Sequence, residues 1–165
     1  MEVCIRKVRI GDESSLAYVQ TESWKAAFAD ILDAETLFRC TDITKAETMY
    51  RSLLQEQKGN GYLLTLNEKP HCIAWWDAAR DADMNGKAEL ICIHSLPENW
   101  HKGYGSMMME RVLDDIRKCG YSEVLLWVFT ENKRARAFYE SEGFHVINKT
   151  KSALNHEEIC YLKEF

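Results

Sequence analysis

The feature that most constrains the fold of this sequence is the continuous apolar run Val124–Phe129. It shows no alternation of apolar and polar residues, as expected of a strand covered on both faces. A helical stretch with one apolar stripe, Ser106–Lys118, precedes the run, and a second helical stretch, Asn132–Glu142, follows it. Another apolar strand, Ala88–His94, comes before the first helix. This succession predicts a parallel pair of strands joined by a right-handed crossover.

The remaining segments predict antiparallel strands around this unit. Runs typical of strands occur at Val3–Arg9, Tyr62–Leu66, His71–Ala79, Phe144–Ile147 and Glu158–Leu162. Helical spacing of apolar residues begins after Asp12, which is expected to cap the helix, and again near Asp33 or Thr44. We expect an α/β protein of the α+β type, with a mixed, mostly antiparallel central sheet and helices on both faces. The length suits a single domain over residues 1–165.

Charge and hydropathy argue against two classes of partner. The formal net charge is −5, whereas a nucleic-acid-binding protein usually presents a basic surface. No apolar run approaches the roughly 20 residues that cross a bilayer, and the first residues lack the apolar segment of a secretory signal. We therefore expect no nucleic-acid partner, no membrane partner and a cytoplasmic location.

The cysteines and histidines predict neither disulfides nor a metal site. The six cysteines are scattered and form no Cys-x-x-Cys pair, which is typical of a reduced cytoplasmic protein. None of the five histidines stands at metal-ligand spacing from another histidine or a cysteine, so no metal is expected. The sequence leaves the oligomeric state open between a monomer and a homodimer.

The loop Trp100–Gly105 connects a predicted buried strand to an amphipathic helix. A helix N-terminus presents unpaired N–H groups and a partial positive charge, which attract phosphate. Gly103 and Gly105 let the backbone approach the anion, and Lys102 adds a full charge. A Walker loop would need lysine after Gly105 and a Rossmann fingerprint would need glycine at Met108, so both motifs fail. A phosphate-binding loop and an ordinary strand-to-helix turn remain as interpretations.

The helix after the buried strand offers a proton donor. Asn132 and Tyr139 are seven residues apart, close to two turns, so both lie on one helical face with the small Ala135 between them. A tyrosine hydroxyl on that face can donate a proton to a departing thiolate, because the unperturbed pKa of tyrosine, about 10, is near that of a thiol. The alternative is that Tyr139 and Phe138 are core aromatics and Asn132 is a simple helix cap.

Two segments taken together resemble the GNAT family of N-acetyltransferases. Pro97–Gly105 is similar to the family's Gln/Arg-x-x-Gly-x-Gly/Ala pyrophosphate loop. Asn132–Phe144 resembles its Asn-x-x-Ala-x-x-Phe-Tyr-x-x-x-Gly-Phe helix. The two segments occur in the same order as in the family, one before and one after the predicted buried strand. The resemblance implies acetyl-CoA as co-substrate and a sheet whose two central parallel strands splay apart.

The resemblance also implies roles for individual residues. Those implied in cofactor binding are Ile93, His94 and Ser95 on the first splayed strand, Trp100, His101, Lys102, Gly103, Tyr104, Gly105 and Ser106 in the loop, and Asn132, Arg136 and Phe138 on the helix. Tyr139 would protonate the leaving sulfur. Trp100 stands where the family usually has Gln or Arg, and His101 where Gly or Arg is common. Because the contacts there are mainly with backbone N–H groups, we expect binding to persist.

The base that deprotonates the amine is less evident. Family members that acetylate protein N-termini carry a glutamate on the second splayed strand, and the matching position here is about Trp127. Glu89 on the other strand is our candidate, acting directly or through water, with His94 as second choice. Partial burial would raise the pKa of the Glu89 carboxyl. The alternative is that Glu89 only caps a strand end in solvent.

In the family, the N-terminal helices and the hairpin build the acceptor pocket. The matching segments of this sequence are rich in aromatic residues. Trp24, Phe28 and Trp76 are the candidate acceptor contacts. Trp75 and Trp76 point to opposite faces of their strand, so at most one of them faces a given pocket. Trp24 and Phe28 also fit a core helix, because aromatic residues at helical spacing commonly pack inside.

Three functions are therefore compared. The first is transfer of the acetyl group from acetyl-CoA to a primary amine of a small molecule, with Tyr139 as general acid. The second is a non-catalytic domain that binds or senses acyl-CoA. The third is acetylation of protein lysines or N-termini, and the absence of an acid at Trp127 argues against the N-terminal version.

Overall fold

Seven strands form one mixed sheet in the order β1-β2-β3-β4-β5-β7-β6. The structure is a computed structural model and describes residues 1–165. The strands are β1 (Val3–Lys7), β2 (Asn60–Leu66), β3 (Lys69–Ala78), β4 (Ala88–Ser95), β5 (Glu123–Phe129), β6 (His145–Ala153) and β7 (His156–Glu164). The helices are α1 (Glu13–Ala27), α2 (Ala34–Cys40), α3 (Ile43–Gln55), α4 (Tyr104–Lys118) and α5 (Lys133–Ser141). None of the helices is both long and apolar enough to cross a membrane.

The centre of the sheet holds its one parallel pair, β4 and β5. They pair only where they begin, Ala88 opposite Val124 and Glu89 opposite Leu125, and every other strand pair is antiparallel. Beyond Glu89 the two strands diverge, so the β5-facing edge of β4 has no strand partner from Leu90 to Ser95. The predicted mixed sheet with a splayed parallel pair is confirmed.

Each face of the sheet is covered by different helices. On one face α4 packs through its predicted apolar stripe, of which Met108, Met109, Val112 and Ile116 are completely buried, and α5 joins the same core cluster through Tyr139. On the other face α1 and α3 pack through residues such as Leu16 and Tyr50. Full burial of one such side chain stabilises the fold by roughly 1.5–3 kcal/mol. The gap between the divergent ends of β4 and β5 therefore lies between the two helical layers.

Local capping explains where the structure differs from the expected helices. The helical stretch near Asp33 and Thr44 is two helices, because Asp33 accepts a bond from the Thr36 N–H (2.8 Å) and Asp42 starts a new helix by accepting from the Thr44 N–H (3.0 Å). Asp12 is the N-cap residue of α1, as expected, but its side chain makes no capping bond, because its carboxylate binds the Arg6 guanidinium at 2.7 Å.

The bounds of helix α4 and of the last two strands also differ from those expected from the sequence. Helix α4 begins at Tyr104 rather than Ser106, directly after Gly103. The last two strands are nine residues each, because the left-handed Leu154 and Asn155 form a tight turn that lets the hairpin pair along its length. Within β7, Glu158 pairs with Phe129 at the end of β5.

Candidate active site

A cavity of about 1100 Å³ lies where β4 and β5 diverge. Its walls come from α1, α3, β3, β4, β5, the loop and first turn of α4, helix α5 and the β6–β7 hairpin. The predicted site residues that line it are Trp24, Phe28, Ile93, His94, Ser95, Trp100, His101, Gly103, Tyr104, Gly105, Ser106, Asn132, Phe138 and Tyr139. The fold thus brings most of the sequence-based candidates to one continuous space.

The loop before α4 forms a cradle with few side chains at one end of the cavity. Gly103 has a φ of 87° and directly precedes the helix, and the first helical bond runs from the Met107 N–H to its carbonyl (3.1 Å). The N–H groups of the three residues between them therefore lack helical acceptors and are available to an anion. A Cβ at Gly105 would lie 3.4 Å from the Phe138 ring, so a larger residue would fill the cradle. This arrangement fits a diphosphate.

The cation of the cradle comes from α5, which sequence reasoning missed. Arg134 lines the cavity and its guanidinium lies 3.6 Å from the centroid of the Trp100 ring. Arg134 and the cavity-lining Phe138 are four residues apart. This spacing places both on one face of a helix, so the sequence pattern could have identified Arg134. Lys102, by contrast, does not line the cavity, and its Nζ donates to Asn99 Oδ1 (2.9 Å).

The expected contact of Arg136 with the cofactor is wrong. Its side chain donates to the Thr130 carbonyl (3.0 Å) and to the Tyr161 hydroxyl (2.9 Å), and it does not line the cavity. The physical reason is helical geometry: Arg136 is two residues from both Arg134 and Phe138, so it points away from their face.

Tyr139 lies in the cavity wall with its hydroxyl free of protein partners. The residue is 9% exposed, and its hydroxyl makes no hydrogen bond within the chain. Burial raises the pKa of Tyr139 well above its usual value, so the hydroxyl holds its proton at neutral pH. Asn132, two helical turns earlier, caps α5 by accepting from the Ala135 N–H (3.2 Å) and also lines the cavity.

His94 is tied to helix α1. The indole N–H of Trp24 donates to His94 Nε2 over 3.2 Å, and since indole nitrogen is only a donor, Nε2 must be the unprotonated nitrogen. Burial lowers the pKa of His94 to about 4, so the ring is neutral at physiological pH. With its lone pair already engaged, His94 is poorly placed to take a proton from a substrate.

The expected role of Glu89 as base is contradicted by its surroundings. The residue is 1% exposed, does not line the cavity, and binds the Arg80 guanidinium at 2.6 and 3.2 Å and the Arg80 backbone N–H at 3.1 Å. Glu89 pairs with Leu125 where β4 and β5 have not yet diverged, so Arg80 covers its carboxylate. The alternative of a solvent-exposed cap is wrong for the same reason.

Aromatic side chains form the end of the cavity farther along α1. Trp24 packs edge-on against Phe28 at 4.9 Å, and Phe28 against Phe129 of β5 at 5.3 Å. Trp76 does not line this end: its indole donates to the Tyr62 hydroxyl (3.0 Å) in the core beneath α4. Trp75 lines the cavity instead, because the two side chains leave β3 on opposite faces.

Charged and polar groups complete this second end. Asp77, Arg80, Trp127 and Glu158 line it, and Glu158 was not among the sequence-based candidates. Little in the sequence points to Glu158, because Glu157 precedes it and two adjacent polar residues in a strand do not reveal which of them faces the cavity. No group of three or more His, Cys, Asp or Glu residues is arranged to hold a metal ion.

Comparison with known proteins agrees with this geometry. Residues 25–144 match the acetyltransferase (GNAT) family. A spermidine N(1)-acetyltransferase from Thermoplasma acidophilum is 27% identical over 155 residues, which cover 88% of this chain and 90% of the relative.

Solved structures share the fold. The PaiA N-acetyltransferase from Thermoplasma acidophilum, solved in complex with coenzyme A, superposes with a TM-score of 0.87 at 22% identity, with all of both chains covered. The ribosomal-protein-S18-alanine N-acetyltransferase from Escherichia coli gives 0.70 at 20% identity, covering 99% of this chain and 94% of that one. The family match spans the phosphate cradle, the divergent strands and the tyrosine helix, so the chain belongs to the GNAT family of acetyl-CoA-dependent N-acetyltransferases.

Proposed function

We propose that this protein transfers the acetyl group of acetyl-CoA to a primary amine of a small molecule. The observation that carries the proposal is the single cavity that joins the anion cradle before α4 to the aromatic and charged end at α1 and β7. One space thus offers a place for the diphosphate, a free tyrosine hydroxyl and a pocket for an acceptor. Holding both reactants in one cavity converts a bimolecular reaction into an effectively unimolecular one.

Acetyl-CoA fits one half of this space. The free N–H groups of Tyr104, Gly105 and Ser106 suit its diphosphate, and Arg134 supplies a positive charge nearby. The unpaired edge of β4 between Ile93 and Ser95 offers backbone groups to the amide-containing pantetheine arm. A backbone N–H on this edge is also our candidate donor to the oxyanion that forms on the thioester carbonyl.

Tyr139 is the proposed general acid. Its hydroxyl carries a proton at neutral pH, has no partner within the protein and faces the cavity. Proton donation to a leaving thiolate from such a position typically accelerates a reaction by about 10²- to 10⁴-fold. Asn132 holds the start of α5 in place and so helps to orient this tyrosine.

The proposed acceptor class is the polyamines. The relative that is 27% identical is a spermidine N(1)-acetyltransferase, and its similarity extends over 88% of this chain. The faces of Trp24 and Phe28 can attract an alkylammonium ion, and Asp77 and Glu158 add negative charge. A flexible cation with two or more amino groups suits such a lining.

A thiol-release assay over a panel of amines tests this function. The panel contains spermidine, a diamine, a monoamine of equal length, a lysine-containing peptide and a peptide with a free N-terminus, each assayed with Tyr139→Phe beside the wild type. We expect kcat/KM to be highest for the polyamine and to fall in the variant. A preference for either peptide would replace the small-molecule assignment, and no turnover with any amine would refute the proposal.

A further inference from the structure

Glu158 faces the acceptor end of the cavity from strand β7. It pairs in register with Phe129 of β5 and with Lys151 of β6, and directly opposed residues in antiparallel strands share a face. Phe129 contacts Phe28, which directly follows α1, on that face. Trp127, two residues before Phe129, is the diagonal neighbour of Glu158, and such neighbours lie roughly 7–8 Å apart. The carboxylate therefore lies beside the aromatic wall of the acceptor end.

The Glu158 carboxylate makes no hydrogen bond or ion pair within the protein, unlike the other acids around it. Asp77 accepts from the backbone N–H of Ala78 (2.8 Å). Asp81 accepts from the indole N–H of Trp127 (3.0 Å), and Glu89 is held by Arg80. Glu158 is thus the cavity-lining carboxylate at this end of which neither oxygen has a partner within the protein.

The charged groups around Glu158 are occupied elsewhere. Arg80, on the connection between β3 and β4, binds Glu89, and the Lys151 ammonium of β6 lies 4.3 Å from the centroid of the Trp127 ring. Burial raises the pKa of Glu158 and the charge of Glu89 adds to this, while Lys151 and Arg80 act in the opposite direction. The result is a carboxylate whose proton affinity is higher than that of an ordinary surface glutamate.

We propose that Glu158 is the base that takes a proton from the acceptor's ammonium group. This inference rests on the proposed acetyl transfer. The neutral amine nitrogen then forms a bond to the acetyl carbon, and the carbon–sulfur bond breaks with its electron pair leaving on sulfur. Tyr139 protonates that sulfur and recovers a proton from the nitrogen, which loses its second proton as the amide forms. Glu158 returns the first proton to solvent, so one ammonium and one thioester give one amide, one thiol and one proton.

The expected pH dependence separates this role from simple binding. In the wild type, kcat/KM rises with pH until Glu158 is ionised and then levels off, although most of the amine is still protonated. In Glu158→Gln the enzyme depends on amine that is already neutral, so kcat/KM should rise about tenfold per pH unit up to the pKa of the amine. At pH 7 we expect the variant to be about 100-fold slower, with the difference shrinking at high pH.

The matched control is Glu157→Gln. Glu157 is the adjacent residue, is exposed and bonds to the Thr130 hydroxyl (2.9 Å) on the opposite face. We expect it to keep the wild-type rate and pH profile. Acetyl-CoA affinity, measured by titration calorimetry, should be the same in both variants, which shows that Glu158→Gln is folded. Equal loss in both variants, or an unchanged profile in Glu158→Gln, would overturn the proposal.

An amine of low pKa provides a second readout. A primary amine with a pKa near 7 is largely neutral in the assay, so Glu158→Gln should acetylate it within a fewfold of the wild-type rate. A defect of the same size with this amine and with an ordinary alkylamine would mean that Glu158 only positions the acceptor. If the wild type itself transfers acetyl groups to no amine, the proposed function fails and this inference fails with it. An active wild type with an unaffected variant rejects Glu158 alone.

Discussion

The guanidinium of Arg134 lies 3.6 Å from the centroid of the Trp100 ring, so a residue of α5 packs on the loop that precedes α4. Trp100 is itself held by a hydrogen bond from its indole N–H to the Ser95 carbonyl (3.0 Å). This contact joins the cradle, the unpaired edge of β4 and helix α5. It also aims a guanidinium into the cavity, where Lys102 does not reach.

Replacement of Arg134 by glutamine should weaken the binding of coenzyme A by about 10- to 100-fold, because a charge-assisted hydrogen bond is worth roughly 1.5–3 kcal/mol. Titration calorimetry measures the effect. Arg136→Gln is the control on the same helix: it should lower the melting temperature, since it loses bonds to Thr130 and Tyr161, and leave the Kd unchanged. A larger loss of affinity in Arg136→Gln would contradict our assignment.

Substitution of Gly103 by valine should abolish measurable binding of coenzyme A. The position has a φ of 87°, a conformation that a β-branched residue rarely adopts, so the loop must change shape. Gly86→Val is a close control, because Gly86 has a φ of 88° and, like Gly103, no atom within 4 Å of a Cβ, yet lies in a turn outside the cavity. We expect similar destabilisation in thermal melts but normal binding in Gly86→Val, and comparable binding losses would argue against the cradle.

Tyr139→Phe should reduce kcat by about 100-fold or more and leave the affinity for coenzyme A within about twofold. The hydroxyl has no partner in the protein, so its loss removes no structural bond. Because burial raises the pKa of Tyr139, the wild type should show no loss of kcat from this group between pH 7 and about 10. Steady-state kinetics over that range measures both effects, and an undiminished kcat in the variant would exclude Tyr139 as the acid.

His94 should make the fold less stable in acid. Its pKa is about 4 in the folded protein against an ordinary value of 6.5, so the unfolded chain binds more protons between these values. The free energy of unfolding should therefore decrease as the pH falls from 6.5 to 4, by up to about 3 kcal/mol, and this effect is absent above pH 6.5.

Urea unfolding of the wild type, His94→Gln and His145→Gln at several pH values measures this dependence. His94→Gln should flatten the slope, and His145→Gln is the control at an exposed histidine on β6. The same slope in all three proteins would show that His94 is not the group responsible.

The order of the strands, the central parallel pair and the glycine-containing loop before α4 could be predicted from local patterns: an unalternating apolar run predicts a strand covered on both faces, and glycines before an amphipathic stripe predict an open helix N-terminus. Tyr139 and Asn132 were found in the same way, since helical spacing alone places them on one face. The divergence of the parallel pair was implied only by the family resemblance, and the division of one expected helical stretch into α2 and α3 appeared only in the structure.

The tertiary structure alone decided which polar groups face the acceptor. Glu89 was a candidate base from the sequence, but in the fold Arg80 covers its carboxylate. Glu158 lies beside Phe129 only because β7 pairs with β5. Likewise the packing of β3 between two helical layers, and not its sequence, selects Trp75 over Trp76. Alternation within a strand tells which residues share a face but not which face meets the cavity, and an ion pair between distant segments leaves no periodic signal. Local sequence patterns therefore indicated most of the cofactor half of the site, and long-range packing determined the acceptor half.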